Sequence, residues 1–251
     1  MGNQCDKIEK VKRLKLMKEK ILKSLYQGRY VSGTELARRL KVSKVAVWKH
    51  IQALKSDGYS IDSKPKKGYR LMAAPDLLLP YEVKRELKTK IVGRDIFHYK
   101  EVGSTQEIAK GLATKGSREG ALVVAETQTA GKGRRSRDWC SPEGGIYLSI
   151  ILRPEMAPSQ APLMALLAGV ATAKTIRKLY ELKAELKWPN DILVNDKKLG
   201  GVLIEIAAET DLINWIVVGI GLNANTKVAS LPSELRATAV SLEEECGRKI
   251  S

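Results

Sequence analysis

Apolar residues at Ile8, Val11, Leu14, Leu16, Ile21, Leu22 and Leu25 recur at helical spacing with lysines between them, which predicts a helix from Ile8 to Tyr26. Two shorter helices follow, Thr34 to Leu40 and Ser43 to Leu54, with Ser43 as the N-cap of the second. Leu36, Ala37, Leu40, Val42, Val47, Ile51 and Leu54 form their inward face. After Gly58 the period changes from helical to alternating: "YSIDSKPKKGYRL" reads as a hairpin around a Lys-Pro-Lys-Lys-Gly turn, the pattern of a β-wing. A helix-turn-helix with a basic wing predicts a winged-helix module over residues 1–74.

Pro75 and Pro80 then flank an apolar patch, which places a linker at residues 75–82. Beyond it, short β-rich runs at Ala121–Glu126, Gly145–Leu152, Leu199–Ile206 and Ile213–Ile220 bracket a long apolar helix from about Ser159 to Tyr180. "VNDKK" around Asn195 and Asp196 reads as a tight hairpin turn. Residues 83–251 are therefore expected to form an α/β (α+β) domain in which several strands share one sheet.

Charge sharpens this division. Residues 1–74 carry 19 Lys and Arg against 6 Asp and Glu, whereas the rest of the chain carries 25 against 22. A basic domain joined to a nearly neutral one points to a polyanion partner for the first domain alone. Arg38, Ser43, Lys44, Lys49, Lys66 and Lys67 are the candidate DNA-contacting residues, the alternative being a small interaction domain with a solvated lysine surface. The charged N-terminus has no signal-peptide pattern, and the longest nearly apolar run, Ala161–Ala173, is too short to cross a bilayer, so a cytoplasmic protein without membrane contact is expected. Three scattered cysteines and two isolated histidines offer neither a disulfide framework nor a metal site.

Two segments carry candidate chemistry. "TAGKGRRSRDW", Thr129–Trp139, combines two glycines with four basic residues, a composition suited to phosphate but fitting neither a Walker A loop nor a dinucleotide fingerprint. On its own it reads equally as a second nucleic-acid contact or a solvated loop. "KWPNDILVNDKKLGGVLIE", Lys187–Glu205, turns at Trp188–Asp191 and returns through a hairpin to Lys198. That path brings Asn190, Asp191 and Lys198 to one end of the sheet, where a lysine near a carboxylate and facing a cationic loop would stabilise charge during nucleotidyl transfer. Packing and a turn would account for Trp188 and Pro189 equally well.

With these stretches, "GST" at Gly103–Thr105 and "GIGLN" at Gly219–Asn223, in this order and spacing, the chain resembles the bifunctional biotin protein ligases, which are also biotin operon repressors. The resemblance runs from the winged helix to about Ser241. It implies a catalytic domain like those of class II aminoacyl-tRNA synthetases and lipoate ligases. It also implies a two-step reaction: biotin and MgATP form biotinyl-5′-AMP, and the acyl group passes to a lysine of a biotin carboxyl carrier protein. By the same resemblance, Ser104, Thr105, Gln106 and Gln128 would bind biotin. Lys132, Gly133 and Arg134 would fold over biotin and the adenylate, Arg135, Arg137, Trp139, Asn190 and Asn223 would face the nucleotide, and Lys198, Arg134 and Asp191 would carry the chemistry.

Operator DNA and a ligand-linked homodimer are the further partners implied. Metal enters only as Mg²⁺ on ATP, with no dedicated protein ligands. The family's loop usually reads Gly-Arg-Gly-Arg-Arg-Gly, whereas this chain has Lys132 for the first arginine and Ser136 for the last glycine; Gln106 replaces a frequent asparagine. The family normally continues past "SLEEECGRKIS" into a small β-barrel domain, so the catalytic domain is expected to be truncated at its C-terminus. A biotin- or adenylate-sensing regulator without ligation is the competing reading, and a lipoate ligase a weaker third.

Overall fold

In this computed structural model residue 14 and residues 16–250 are described. The chain divides into two compact units, 1–76 and 77–251. Of the helix expected from Ile8 to Tyr26, residues 16–25 (α1) are helical; residues 8–13 and 15 lie outside the described residues. Helix α2 (Gly33–Leu40) is capped by the Ser32 hydroxyl, which accepts from Glu35 N–H at 3.0 Å. Helix α3 (Lys44–Ser56) is capped as expected by Ser43, whose hydroxyl accepts from Ala46 N–H at 3.1 Å. Ile21, Leu22, Leu25, Leu36, Val47, Ile51 and Leu54 are fully buried among these helices, so the helical period read from the sequence is the period of the core.

The wing is an antiparallel pair, β1 (Ser60–Lys64) and β2 (Gly68–Ala73). The start of β2 is tied to the segment leading into α2: Val31 and Tyr69 exchange both backbone hydrogen bonds at 2.9 Å. Gly68, at φ +100°, lies so close to that tie that an added Cβ would stand 2.2 Å from the Val31 carbonyl oxygen.

The second unit begins with α4 (Pro80–Glu86), which starts inside the segment expected to be a linker. Its body is one seven-stranded sheet. The strands are β3 (Ile96–Val102), β4 (Leu122–Gln128), β5 (Ile146–Leu152), β6 (Ala184–Lys187), β7 (Asp191–Val194), β8 (Lys197–Ala208) and β9 (Ile213–Leu222), in the order β3-β4-β5-β9-β8-β7-β6. Only β3 and β4 pair in parallel. They are joined by α5 (Thr105–Thr114), and neither β3 nor α5 is evident from a run of apolar residues, because β3 is an edge strand with a half-polar pattern, "IFHYKEV". The long helix, α6 (Pro162–Tyr180), starts three residues later than expected, after a short 3-10 turn at Pro158–Gln160.

Alternation along the strands divides the core. Ile216 and Val218 of β9 pack on the α6 side with Ala173 and Ile176, while Trp215 and Val217 pack on the α5 side with Ala109 and Ala113. Arg153 fixes the far end of α5 by donating to the Ala113 carbonyl at 2.8 Å and to Ser117 O at 3.0 Å, supplying partners that a helix C-terminus lacks.

The β7–β8 hairpin turns at Asn195 and Asp196, both at positive φ, as a two-residue hairpin of this twist requires. A bulge then interrupts it: Ile192 faces Gly200 while Leu193 faces Lys198, leaving Leu199 over. The extra residue shifts the alternation by one, so Leu199 and Val202, three apart, share the core, and Lys198 and Gly201, also three apart, share the opposite face.

Candidate active site

On the α5 face of the sheet lies a cavity of about 470 Å³. Its floor is glycine. Gly201 and Gly221 are paired across β8 and β9, and Gly219 is paired with Leu203. Each absence of a side chain admits another group: a Cβ on Gly219 would meet Gln106 Oε1 at 2.5 Å, and one on Gly221 would meet the Trp139 indole nitrogen at 2.6 Å. The "GIGLN" spacing is thus the imprint of two side chains laid flat on a strand.

One wall is the N-terminus of α5 with Gln128 at the end of β4. Hydrogen bonds run through it in one direction. Ser149 Oγ donates to Thr105 Oγ1 at 3.0 Å, Thr105 Oγ1 donates to Gln128 Oε1 at 3.1 Å, Gln128 Nε2 donates to Ser141 Oγ at 2.8 Å, and Ser141 Oγ donates to the Trp139 carbonyl at 3.0 Å. Gln128 Oε1 also accepts from Thr105 N–H at 2.8 Å, so the orientation of its amide is determined by its partners. Ser104 is buried, and its hydroxyl, at the cavity wall, has no hydrogen-bond partner. A buried polar atom of that kind can be satisfied by a polar group of a bound molecule.

The opposite wall is cationic. Lys198 Nζ lies 2.8 Å from Asp191 Oδ1 and 5.4 Å from the centre of the Trp139 ring. Its backbone is clamped, with N–H to Thr238 O at 2.6 Å and its carbonyl accepting from Val240 N–H at 3.0 Å, so the ammonium is presented from a fixed base. The basic loop closes on itself as a small hairpin: Trp139 N–H donates to Gly131 O at 2.8 Å and Gly133 N–H to Arg137 O at 2.7 Å. Arg134 Nη1 donates to Asn190 Oδ1 at 3.3 Å, and Lys132 pairs with Glu107 of α5. The two lysines beside Glu107, Lys132 first and then Lys110, hold its carboxyl below the ordinary range.

Every residue expected at the active site lines this cavity: Ser104, Thr105, Gln106, Gln128, Lys132, Gly133, Arg134, Arg135, Arg137, Trp139, Asn190, Asp191, Lys198 and Asn223. Their availability differs. Gln106 is tied to protein through its Nε2, which donates to Val217 O at 3.2 Å. Asn190 clasps β8 through Nδ2 to Val202 O at 2.8 Å, and Asn223 clasps the following segment through Nδ2 to Val240 O at 3.1 Å. Sequence reading missed Ser149, which lines the cavity through the β4–β5 register, and Ser141 and Glu107, which do not line it but hold Gln128 and Lys132 through the Gln128–Ser141 bridge and the start of α5. Among the described residues no group of three or more His, Cys, Asp or Glu could hold a metal, and of the two carboxylates lining the cavity, Asp191 already serves Lys198, so the residues present do not form a Mg²⁺ cage.

In the first unit the candidate DNA residues Arg38, Ser43, Lys44, Lys49, Lys66 and Lys67 are all exposed, with the Ser43 hydroxyl occupied by its cap. Trp48 is exposed on the same helix, α3. No helix among the described residues is long and apolar enough to cross a membrane.

Residues 99–223 match the Biotin/lipoate A/B protein ligase family, and residues 18–70 match an HTH domain. The chain is 41% identical over 222 residues to the bifunctional ligase/repressor BirA of Bacillus subtilis (strain 168), covering 88% of this chain and 68% of that protein. It is 35% identical over 206 residues to the BirA of Escherichia coli (strain K12), covering 81% of this chain and 62% of that protein. A solved biotin protein ligase from Aquifex aeolicus in complex with biotin and ATP is 33% identical, with a TM-score of 0.54 over 63% of each chain.

Proposed function

The chain belongs to the biotin/lipoate A/B protein ligase family, and on that premise we propose that it joins biotin to a carrier protein through biotinyl-5′-AMP. A biotin carboxylate oxygen attacks the α-phosphorus of MgATP, the bond to the β-phosphate breaks and pyrophosphate leaves. The amine of one carrier-protein lysine then attacks the acyl carbon, and AMP departs. Both substrates of the first step are anions that repel each other, so the residues must supply positive charge where they meet. Lys198, fixed by its clamped backbone and by Asp191, supplies it on the sheet side, and the Lys132–Arg134 loop supplies it from above. Ser104, Thr105 and Gln128 hold the ureido head, and Mg²⁺ arrives on the nucleotide.

The observation that carries this reading is the meeting of the Lys198–Asp191 pair, the basic loop and the unpartnered Ser104 hydroxyl at one cavity. DNA binding falls to residues 1–74, whose exposed Lys and Arg surround α3 and the wing, and ligation to residues 83–251. Repression of an operator by a ligand-linked homodimer, and a cytoplasmic location where ATP and the carrier meet, complete the proposal.

The test is biotin-dependent pyrophosphate release by the purified chain, followed by labelling of an acceptor carrier domain. Release and labelling are expected; tight biotin binding without release would leave a sensing regulator instead. A second expectation concerns the wall. Gln128→Leu leaves the Thr105 N–H without its partner and breaks the hydrogen-bond chain, at about 1–3 kcal/mol for a buried group left unpaired. It should raise the KM for biotin roughly tenfold or more while kcat changes little. Equal loss in kcat and kcat/KM would move Gln128 into the chemistry.

A further inference from the structure

Helix α3 is apolar on two sides. One side holds the buried Val47, Ile51 and Leu54; the other presents Val45, 62% exposed, and Trp48, 52% exposed. Those two stand three residues apart, so their side chains are neighbours on the helix surface. Their placement gains little for folding, since more than half of each stays in water, and on the preceding helix, α2, the exposed positions Thr34, Arg38 and Arg39 are all polar. Lys44 and Lys49, both exposed, flank the pair, and α3 carries no Asp or Glu. An apolar patch inside a cationic rim fits a polyanion that offers an apolar feature at the centre of the contact.

Duplex DNA is such a partner. Its phosphates attract the lysines, and the apolar group that its major groove displays at a base edge is the 5-methyl of thymine. Val45 is the second residue of α3, and the N-terminal part of the second helix of a helix-turn-helix is the part that reaches base edges. We propose that Val45 and Trp48 form a base-reading patch that takes thymine 5-methyl groups, so that apolar contact supplies sequence preference, which lysine contacts to phosphate do not carry. The inference rests on the DNA-binding reading of residues 1–74 and deepens it, from the polyanion that is bound to the base that is chosen. An apolar protein partner fits less well, because the patch is two side chains wide and closed in by lysines.

The test uses the full chain with biotin and MgATP. Duplexes that it retains from a random-sequence pool at about 0.15 M salt are sequenced, and the preferred duplex is remade with uracil in place of each thymine in turn, which removes one methyl and keeps every hydrogen bond. At a thymine within the contact, uracil should weaken binding about fourfold, the scale of one methyl withdrawn from an apolar contact. Val45→Ser and Trp48→Gln should each bind the thymine duplex more weakly by about the same factor, and at the position it serves each variant should bind thymine and uracil duplexes alike. The dependence of affinity on salt should stay that of the parent, because the phosphate contacts are intact, whereas a unit that had lost its fold would lose this dependence as well. A parent chain indifferent to uracil at every position, or variants that keep the full uracil penalty, would overturn the proposal and leave DNA binding standing. Salt-dependent retention with no enriched sequence would do the same. Retention of no duplex at all would overturn the proposal together with the DNA-binding reading.

Discussion

Replacing Lys198 with alanine should lower kcat/KM for biotin-dependent pyrophosphate release by about a thousandfold, or ~4 kcal/mol, the upper range for removing one preorganised electrostatic group from a developing charge. The reason lies in how the ammonium is held. Asp191 at 2.8 Å and the Trp139 ring at 5.4 Å restrict its direction, and the backbone clamps to Thr238 and Val240 do not involve the side chain. The variant should therefore fold normally, and its thermal transition should match that of the parent, which separates lost chemistry from lost structure. Asp191→Asn is the companion: it loosens the lysine without removing its charge, and a loss of about tenfold is expected. A Lys198→Ala enzyme retaining more than a tenth of parental turnover would show that the loop cations alone carry the charge.

Gly68→Ala should destabilise the N-terminal unit by at least ~3 kcal/mol while sparing pyrophosphate release. At φ +100° an alanine is strained by about 1–3 kcal/mol even in open space, and here its Cβ would stand 2.2 Å from Val31 O. Relieving that contact breaks the Val31–Tyr69 pairing that joins the wing to the segment leading into α2. A unit of 76 residues has only a small margin of stability. Calorimetry should show an early transition for this unit, and binding to a DNA duplex at low salt should fall with it. The second unit has its own sheet and core and keeps its cavity. Unaltered DNA binding and an unaltered unfolding profile would contradict this account of Gly68; loss of ligation alongside DNA binding would show that the two units fold as one.

The departures at the loop have a structural meaning. Ser136, at the position where the loop it resembles usually has glycine, adopts φ +56° next to Arg135 at φ +55°. Two consecutive left-handed residues without glycine are costly, so this loop holds its turn against a local preference that glycine would not oppose.

Much of this protein is determined by its sequence alone. The helical period of residues 16–54 is set by which side chains avoid water, and the caps Ser32 and Ser43 by hydroxyls placed where a helix start leaves N–H groups unpaired. The wing and the Asn195–Asp196 turn follow from local backbone preference, and the two-unit division from charge and proline placement. Those are short-range effects, complete within a few residues. Long-range register decided the rest. Nothing in "KKLGGV" states that Leu199 is the surplus residue of a bulge, yet that slip is what turns Lys198 toward the cavity while Leu199 stays in the core. Strand order placed Ser149 beside Thr105 and Gly219 beneath Gln106, and the start of α5 carried Glu107 to the loop. These partners are tens of residues apart in the chain, and only the pairing of non-adjacent strands specifies which of them meet.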